Sequence, residues 1–474
     1  MRYIMLTLLV LAGIANNAYA GQDGYKIQLK FNDKANHKVY LASYYGKPLP
    51  TIYRVDSAQL DDKGVATFNS TEKITGGIYL MVLDDNATYF EFLLDNGDDF
   101  SITATASKLP KEVKFKNSEE NKRFNDYVNY LTQVGEGQQQ LQQQLSTAKT
   151  QADSNNIYDK AKAINDGLNQ YRVDYIKKYP KTLLANISSA LLVPEAPKGP
   201  HYNEDGSVDS MFAFRYYKEH YWDGFDFSDE RLIYTPIYES KLQYFFNNVS
   251  MPLADSVIYE GDKLLAKARA SKEVFKYTLH WLTSEYTQKS DVMGLDAAFA
   301  HFIEKYYMKG DAFWLNPGTL QKYIDRYKSI APNMIGNLAP PLTMRDVDSN
   351  FKSLYGVEAK YTLIVFWSPT CGHCLEEVPR IDSVYKAVLK DKGVKVYAVN
   401  VDRDQAVKWK EQLKKLNLDH WTNVYDPDKK SPYKSQYDIY GTPRVYLLDE
   451  KKVIIGKNLD HTTIGQVIEM EERK

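Results

Sequence analysis

Thr362-Leu363-Ile364-Val365-Phe366-Trp367-Ser368-Pro369-Thr370-Cys371-Gly372-His373-Cys374 is the stretch that decides the fold of the C-terminal region. Its first five residues are mostly apolar and do not alternate, as expected of a central strand buried on both faces. A helix is expected to open at Cys371, with Leu375, Val378, Ile381, Val384 and Val388 on its inner side. At such a helix start the backbone N–H groups lack intrahelical partners, and together with the helix dipole they stabilise a thiolate. Cys371 is therefore expected to ionise easily and to attack a partner disulfide. Cys374, one turn on, on the same face and more buried, is expected to resolve the mixed disulfide.

The residues around the pair suggest further roles. Gly372 is expected to let the first turn form without crowding. His373, when charged, would favour the thiolate and make the disulfide more oxidising; the plainer reading is a solvent-facing imidazole. Pro379 removes one hydrogen bond and bends the helix. Glu377 lies one turn beyond Cys374, placed to move a proton during resolution, although helix carboxylates are usually solvated. Gly441-Thr442-Pro443 precedes the strand Arg444–Leu448. A proline at a strand's first residue costs no ladder hydrogen bond, and on pattern alone an ordinary trans peptide is expected there.

Outward from this stretch the chain alternates strand and helix. Val394–Val399 reads as a strand, Gln405–Leu416 as a helix carrying Val407, Trp409 and Leu413, and Thr422–Tyr425 as a short strand. A hairpin turns at Asp449–Lys451, and Thr462 or Thr463 can cap a last helix. Residues 336–474 are thus expected to form an α/β layer with a mixed sheet. Residues 21–117 hold short aromatic strands separated by Asp61-Asp62-Lys63-Gly64, Thr75-Gly76-Gly77 and Asp95-Asn96-Gly97-Asp98, the pattern of an all-β, sandwich-like domain. Residues 118–335 read as mostly α-helical. One helix runs from Glu119 through the glutamines of 138–144, with Leu141 and Leu145 continuing its apolar stripe. A second carries Tyr158, Ala161, Ile164, Leu168, Tyr171 and Tyr175 and ends at Tyr179-Pro180. The aromatic run Phe212, Phe214, Tyr216, Tyr217, Tyr221 and Trp222 fits either a packed helical core or a recognition surface. His301 and Glu304 share a helix face, but no second histidine completes a metal motif, and no metal or cofactor is expected.

At this point the sequence resembles the thioredoxin superfamily, and within it the exported TlpA/ResA-like branch. The resemblance covers about Gly336–Lys474. It rests on Phe366-Trp367, the Cys371 and Cys374 spacing, Pro379, Pro443, and Glu377 one turn after the second cysteine. It implies that Trp367 supports the site and that Pro443 is cis. Thr442 would then present its backbone beside the cysteines, where an extended client chain could pair with it. The sequence departs from the family in three places. Thr370 stands where Trp is common, Val365 where cytoplasmic thioredoxins bury an aspartate, and Gly372-His373 is similar to the dipeptide of disulfide isomerases. The first two regions resemble modules attached to thioredoxin-like domains in exported Bacteroidetes proteins, which implies a periplasmic setting.

Composition agrees with an exported enzyme of this kind. Arg2, the apolar run Ile4 to Ala15 and Ala18-Tyr19-Ala20 read as a signal peptide over residues 1–20; the alternative is an N-terminal anchor. No other window is long and apolar enough to span a membrane. The 60 basic and 61 acidic side chains leave a net charge of −1, which gives no broad attraction for nucleic acid. The only two cysteines sit too close together to staple much chain, so a reactive pair is the better reading. The expected function is thiol–disulfide exchange with protein or peptide clients, served by a separate redox partner. The competing reading is an interaction module whose cysteine pair is not turned over. Peroxidase chemistry lacks its Pro-x-x-x-Thr/Ser-x-x-Cys pattern at both cysteines.

Overall fold

The computed structural model describes residues 23–474, so the expected signal peptide lies outside the described residues. These residues form two compact units, the first ending at Leu242 and the second spanning Gln243–Lys474.

The first unit opens with eight strands: β1 (Tyr25–Phe31), β2 (Lys38–Ser43), β3 (Tyr53–Gln59), β4 (Val65–Ser70), β5 (Gly77–Leu83), β6 (Tyr89–Leu94), β7 (Asp98–Ala104) and β8 (Val113–Lys116). They make two four-stranded sheets, ordered β4-β1-β7-β8 and β3-β2-β5-β6. β1 alternates buried and exposed along its whole length. Its Ile27, Leu29 and Phe31 share one core with Leu41, Met81, Phe92 and Phe100, as in a sandwich. Helices follow: α1 (Glu119–Thr147), α2 (Gln151–Lys178), α3 (Leu183–Ala190), α4 (Phe212–His220) and α5 (Ile237–Tyr244), whose last two residues belong to the second unit. Ser118 and Thr150 cap α1 and α2 by accepting the Asn121 and Asp153 N–H groups. One sequence expectation needs correction, and one left open is narrowed. Ile157 rather than Tyr158 faces the core of α2, and of the aromatic run only Tyr221 and Trp222 are buried, α4 itself burying none of its residues.

The second unit continues with α6 (Ala254–Ala268), α7 (Lys272–Gln288), α8 (Asp296–Phe302) and α9 (Pro317–Ile330). The α/β layer then runs β9 (Thr343–Asp346), β10 (Phe351–Ser353), β11 (Tyr361–Trp367), α10 (Gly372–Val384), β12 (Val394–Asn400), α11 (Ala406–Leu416), β13 (Thr422–Tyr425), α12 (Tyr433–Gln436), β14 (Arg444–Leu448), β15 (Ile454–Lys457) and α13 (Ile464–Glu472). The sheet order is β10-β9-β13-β12-β11-β14-β15. β11 lies parallel to β12 and antiparallel to β14, so the sheet is mixed, with β11 inside it. Every residue of β11 is buried. Leu363, Val365 and Trp367 join one core with α10, α11 and α13, while Ile364 and Phe366 join another with Tyr397, Tyr433 and Tyr446.

The helical stretch before this layer is fastened to it. Lys457 of β15 sits with its ammonium 2.5 Å from Asp296 of α8 and 2.5 Å from the Asn333 side-chain oxygen, the Lys457 and Asp296 side chains both almost wholly buried. Three further expectations are revised. A π-helical turn at Tyr385–Leu389 follows α10 and shifts its register, so Leu389 is buried and Val388 points out. Val407 is exposed on α11, which packs through Trp409 and Leu413. At the start of α13, the Asp460 carboxylate, not a threonine hydroxyl, accepts the Thr462 and Thr463 N–H groups.

Candidate active site

The site is built where β11 ends. A strand buried on both faces must leave the sheet at its C-terminal edge, and here it does so through Ser368, Pro369 and Thr370 into α10. Cys371 is the N-cap of α10. Its backbone is extended, with φ −84° and ψ 120°, and its sulfur accepts the Cys374 N–H at 3.3 Å. One of the unpaired amide donors of the helix start is thus spent on a sulfur. Cys371 is half-buried and Cys374 fully buried, packed with Trp367, Val378 and Val445; both are free thiols.

The two thiols are driven apart chemically. Burial alone would raise the Cys371 pKa. Hydrogen bonds from Cys374, including its backbone N–H, and from the His373 backbone N–H outweigh it and hold the thiol below its ordinary value. Burial foremost, then the hydrogen bond with Cys371, pushes Cys374 up to about 12. One sulfur is set to ionise and the other to stay protonated.

The other expected site residues fall as follows. The Thr442-Pro443 peptide is cis, not trans as the bare pattern suggested, and the Thr442 carbonyl accepts from Cys371 Sγ at 3.3 Å. Trp367 is fully buried at the end of β11. Gly372 and His373 are exposed in the first turn of α10. A Cβ at Gly372 would meet nothing within 4 Å, so the turn does not need glycine for space, contrary to expectation. Pro379 lies inside α10. Glu377 is mostly buried and is held by His461: its Oε1 accepts the His461 backbone N–H at 2.8 Å and lies 2.9 Å from His461 Nδ1.

Two participants were missed in the sequence. Asp402, just after β12, accepts hydrogen bonds from Ser368 and, at 2.8 Å, from the Thr370 hydroxyl. It ties down the loop that leads into Cys371. A carboxylate just past the C-terminal end of a parallel strand was the available signal, since sites gather at that edge. His461, 84 positions from Glu377, gave no local signal. His301, singled out as a candidate metal ligand, instead lies 3.0 Å from Asp262. Among the described residues no group of three or more His, Cys, Asp or Glu is placed to hold a metal ion, and no helix is long and apolar enough to cross a membrane.

Comparison with known proteins follows the same division of the chain. The AhpC/TSA family profile matches residues 335–457, and two domains of unknown function, DUF4369 and DUF5106, match residues 25–124 and 208–332. The chain is 27% identical over 124 residues to the thiol-disulfide oxidoreductase ResA of Oceanobacillus iheyensis, covering 24% of this chain and 59% of the relative. It is 31% identical over 113 residues to a thioredoxin-like protein of Haemophilus influenzae, covering 24% of this chain and 63% of the relative. The match therefore spans about three-fifths of the length of these curated relatives. Among solved structures, a domain of a possible thiol-disulfide isomerase from Cytophaga hutchinsonii is 36% identical. That match covers 30% of this chain and 96% of the domain, with a TM-score of 0.29.

Proposed function

The C-terminal α/β region belongs to the thioredoxin superfamily, and on that premise we propose that the chain is an exported thiol–disulfide oxidoreductase acting on protein or peptide clients in the periplasm. The observation that carries this reading is the division of labour within one helical turn: Cys371 at the helix mouth with a depressed pKa, Cys374 buried behind it and protonated.

The cycle follows from these positions. The Cys371 thiolate attacks one sulfur of a client disulfide, forming a mixed disulfide and releasing the client's other sulfur as a thiolate. Cys374 loses its proton and attacks Cys371 Sγ. The client leaves with both sulfurs reduced, and Cys371 and Cys374 are joined by a disulfide. Two electrons pass to the client, and a separate dithiol partner returns them. Run in reverse, the same steps oxidise a client. Glu377, beside Cys374 on the helix, is the proton carrier for the second step, and the Thr442 backbone next to cis-Pro443 pairs with the client chain. No metal or nucleotide takes part.

Insulin reduction with dithiothreitol as donor tests this. C371S abolishes turnover, and C374S accumulates a client-linked species seen as a mass adduct on a non-reducing gel. Undiminished turnover in C371S would sink the assignment.

A further inference from the structure

The loop that carries Thr442 and Pro443 is clamped at both ends, and each clamp includes residues of the preceding helical stretch. At its start, the buried Asp438 carboxylate accepts from the Arg326 guanidinium of α9 and, at 2.8 Å, from the Ser329 hydroxyl one turn on. The Asn333 amide donates to the Gln436 carbonyl at 2.8 Å. The Arg326 guanidinium also lies 5.1 Å from the centre of the Tyr440 ring. At the loop's end, Arg444 donates to Asp291, in the turn after α7, at 2.9 Å and to Asn458. Asn458 donates in turn to the Asp291 carbonyl at 3.2 Å. Arg326 reaches the Ser290 hydroxyl at 3.4 Å, so the two clamps share a side chain.

Between the clamps lie Ile439, Tyr440, Gly441, Thr442 and Pro443. A segment this short, fixed at both ends, has few conformations left. It meets the redox pair through Thr442, whose carbonyl accepts from Cys371 Sγ at 3.3 Å. Asp438 shows why the first clamp matters. It holds a left-handed φ of 52° and is 7% exposed. A carboxylate left there without Arg326 and Ser329 would be driven toward water and would carry the loop with it.

We infer that Arg326 and Asp291 are positioning residues for thiol exchange: acting through Asp438 and Arg444, they hold Thr442 against Cys371. The turn at Ser290 and Asp291 and the end of α9 are then part of the redox centre's framework, not an appendage to it. This inference rests on Cys371 and Cys374 being the exchanging pair.

The test uses the full chain. R326A and D291A are compared with wild type and with R269A, a control whose ion pair with Asp311 lies elsewhere in the same helical stretch. The readouts are the pH midpoint of Cys371 alkylation, the redox equilibrium with glutathione, and the melting temperature. Loosening the loop withdraws the Thr442 carbonyl, which accepts from the Cys371 thiol and so favours its protonated form. R326A and D291A are therefore expected to lower the midpoint by about half a unit, speeding alkylation at neutral pH by up to about threefold, while R269A leaves it in place. A lower melting temperature with unchanged midpoint and equilibrium would mean a purely structural role and overturn the inference. Should R326A fail to fold, D291A decides alone, because the Asp291 side chain is 77% exposed. A wild type that exchanges normally, with both variants matching it, defeats the positioning role only. A wild type that exchanges no disulfide at all defeats the functional reading, while the alkylation midpoints still judge the loop.

Discussion

The sandwich of β1 to β8 and the α/β layer of β9 to β15 are both sheets around an apolar core, yet among the described residues only the second sets a cysteine pair at a helix start. In the sandwich, β1 alternates because one face meets the core and the other does not, and the chain passes from strand to strand without delivering a helix start to the end of a buried strand. Perturbed groups exist there too: burial pushes Asp98 up to about 6. That carboxylate caps its own turn, accepting the Asp95 N–H at 2.7 Å. In the α/β layer, β11 is buried on both faces, and the chain leaves it over the sheet edge into α10. The free amides of that helix meet Cys371. Chemistry here comes from a handover between elements, not from the presence of unusual side chains.

The comparison breaks or sharpens under four measurements. The largest effect is expected from K457M, which strands Asp296 as a buried unpaired carboxylate. It should cost the Gln243–Lys474 unit about 3–5 kcal/mol and leave the melting of the sandwich, followed separately, where it was. A single shared transition that moves as one would erase the distinction between the regions. Next is the pH dependence of alkylation. The depressed Cys371 pKa means that its thiolate persists to lower pH than that of an ordinary thiol and is lost as pH falls through that lowered midpoint. Cys374, held protonated, should gain no reactivity until the pH nears about 12. Equal midpoints for the two sulfurs would remove the asymmetry on which the site depends.

A smaller shift is expected from H373P. His373 is exposed in the first turn, where proline is tolerated, and loss of its imidazole together with the backbone N–H that favours the Cys371 thiolate should make the pair more reducing by about 30 mV, or about 1.4 kcal/mol, in equilibrium with glutathione. An unchanged potential would return His373 to the status of a solvent-facing side chain. The smallest effect belongs to G372A. With open space around the added methyl, stability should stay within about 0.5 kcal/mol and turnover should follow wild type. A large loss of turnover at unchanged stability would show that the client chain occupies that space.

Much of the redox pair's setting was legible in the chain. Thr362–Phe366 announces a doubly buried strand by lacking alternation, and Cys371 follows it at the spacing where a helix must begin. The same local logic reads β1 from its alternation and α1 through its glutamines. Local periodicity failed where geometry departed from the ideal helix. The π turn at Tyr385–Leu389 advanced the register by a residue and exposed Val388. Tyr158 yielded its core position to Ile157. The Asp460 cap was hidden because a carboxylate before two threonines reads as well as a turn.

By itself, then, the order of residues determined the segments, the two sulfurs and their place at a helix mouth, because hydrophobic period and helix-end chemistry act over a few neighbours. Tertiary structure alone decided what holds that mouth in place: Asp402 under Ser368 and Thr370, His461 on Glu377, Asp296 beneath Lys457, and Arg326 with Asp291 around the Thr442 loop. These partners lie tens to more than a hundred positions apart in the chain. A hydrogen bond depends on distances of about 3 Å in space, and no local pattern encodes which distant side chain will arrive there.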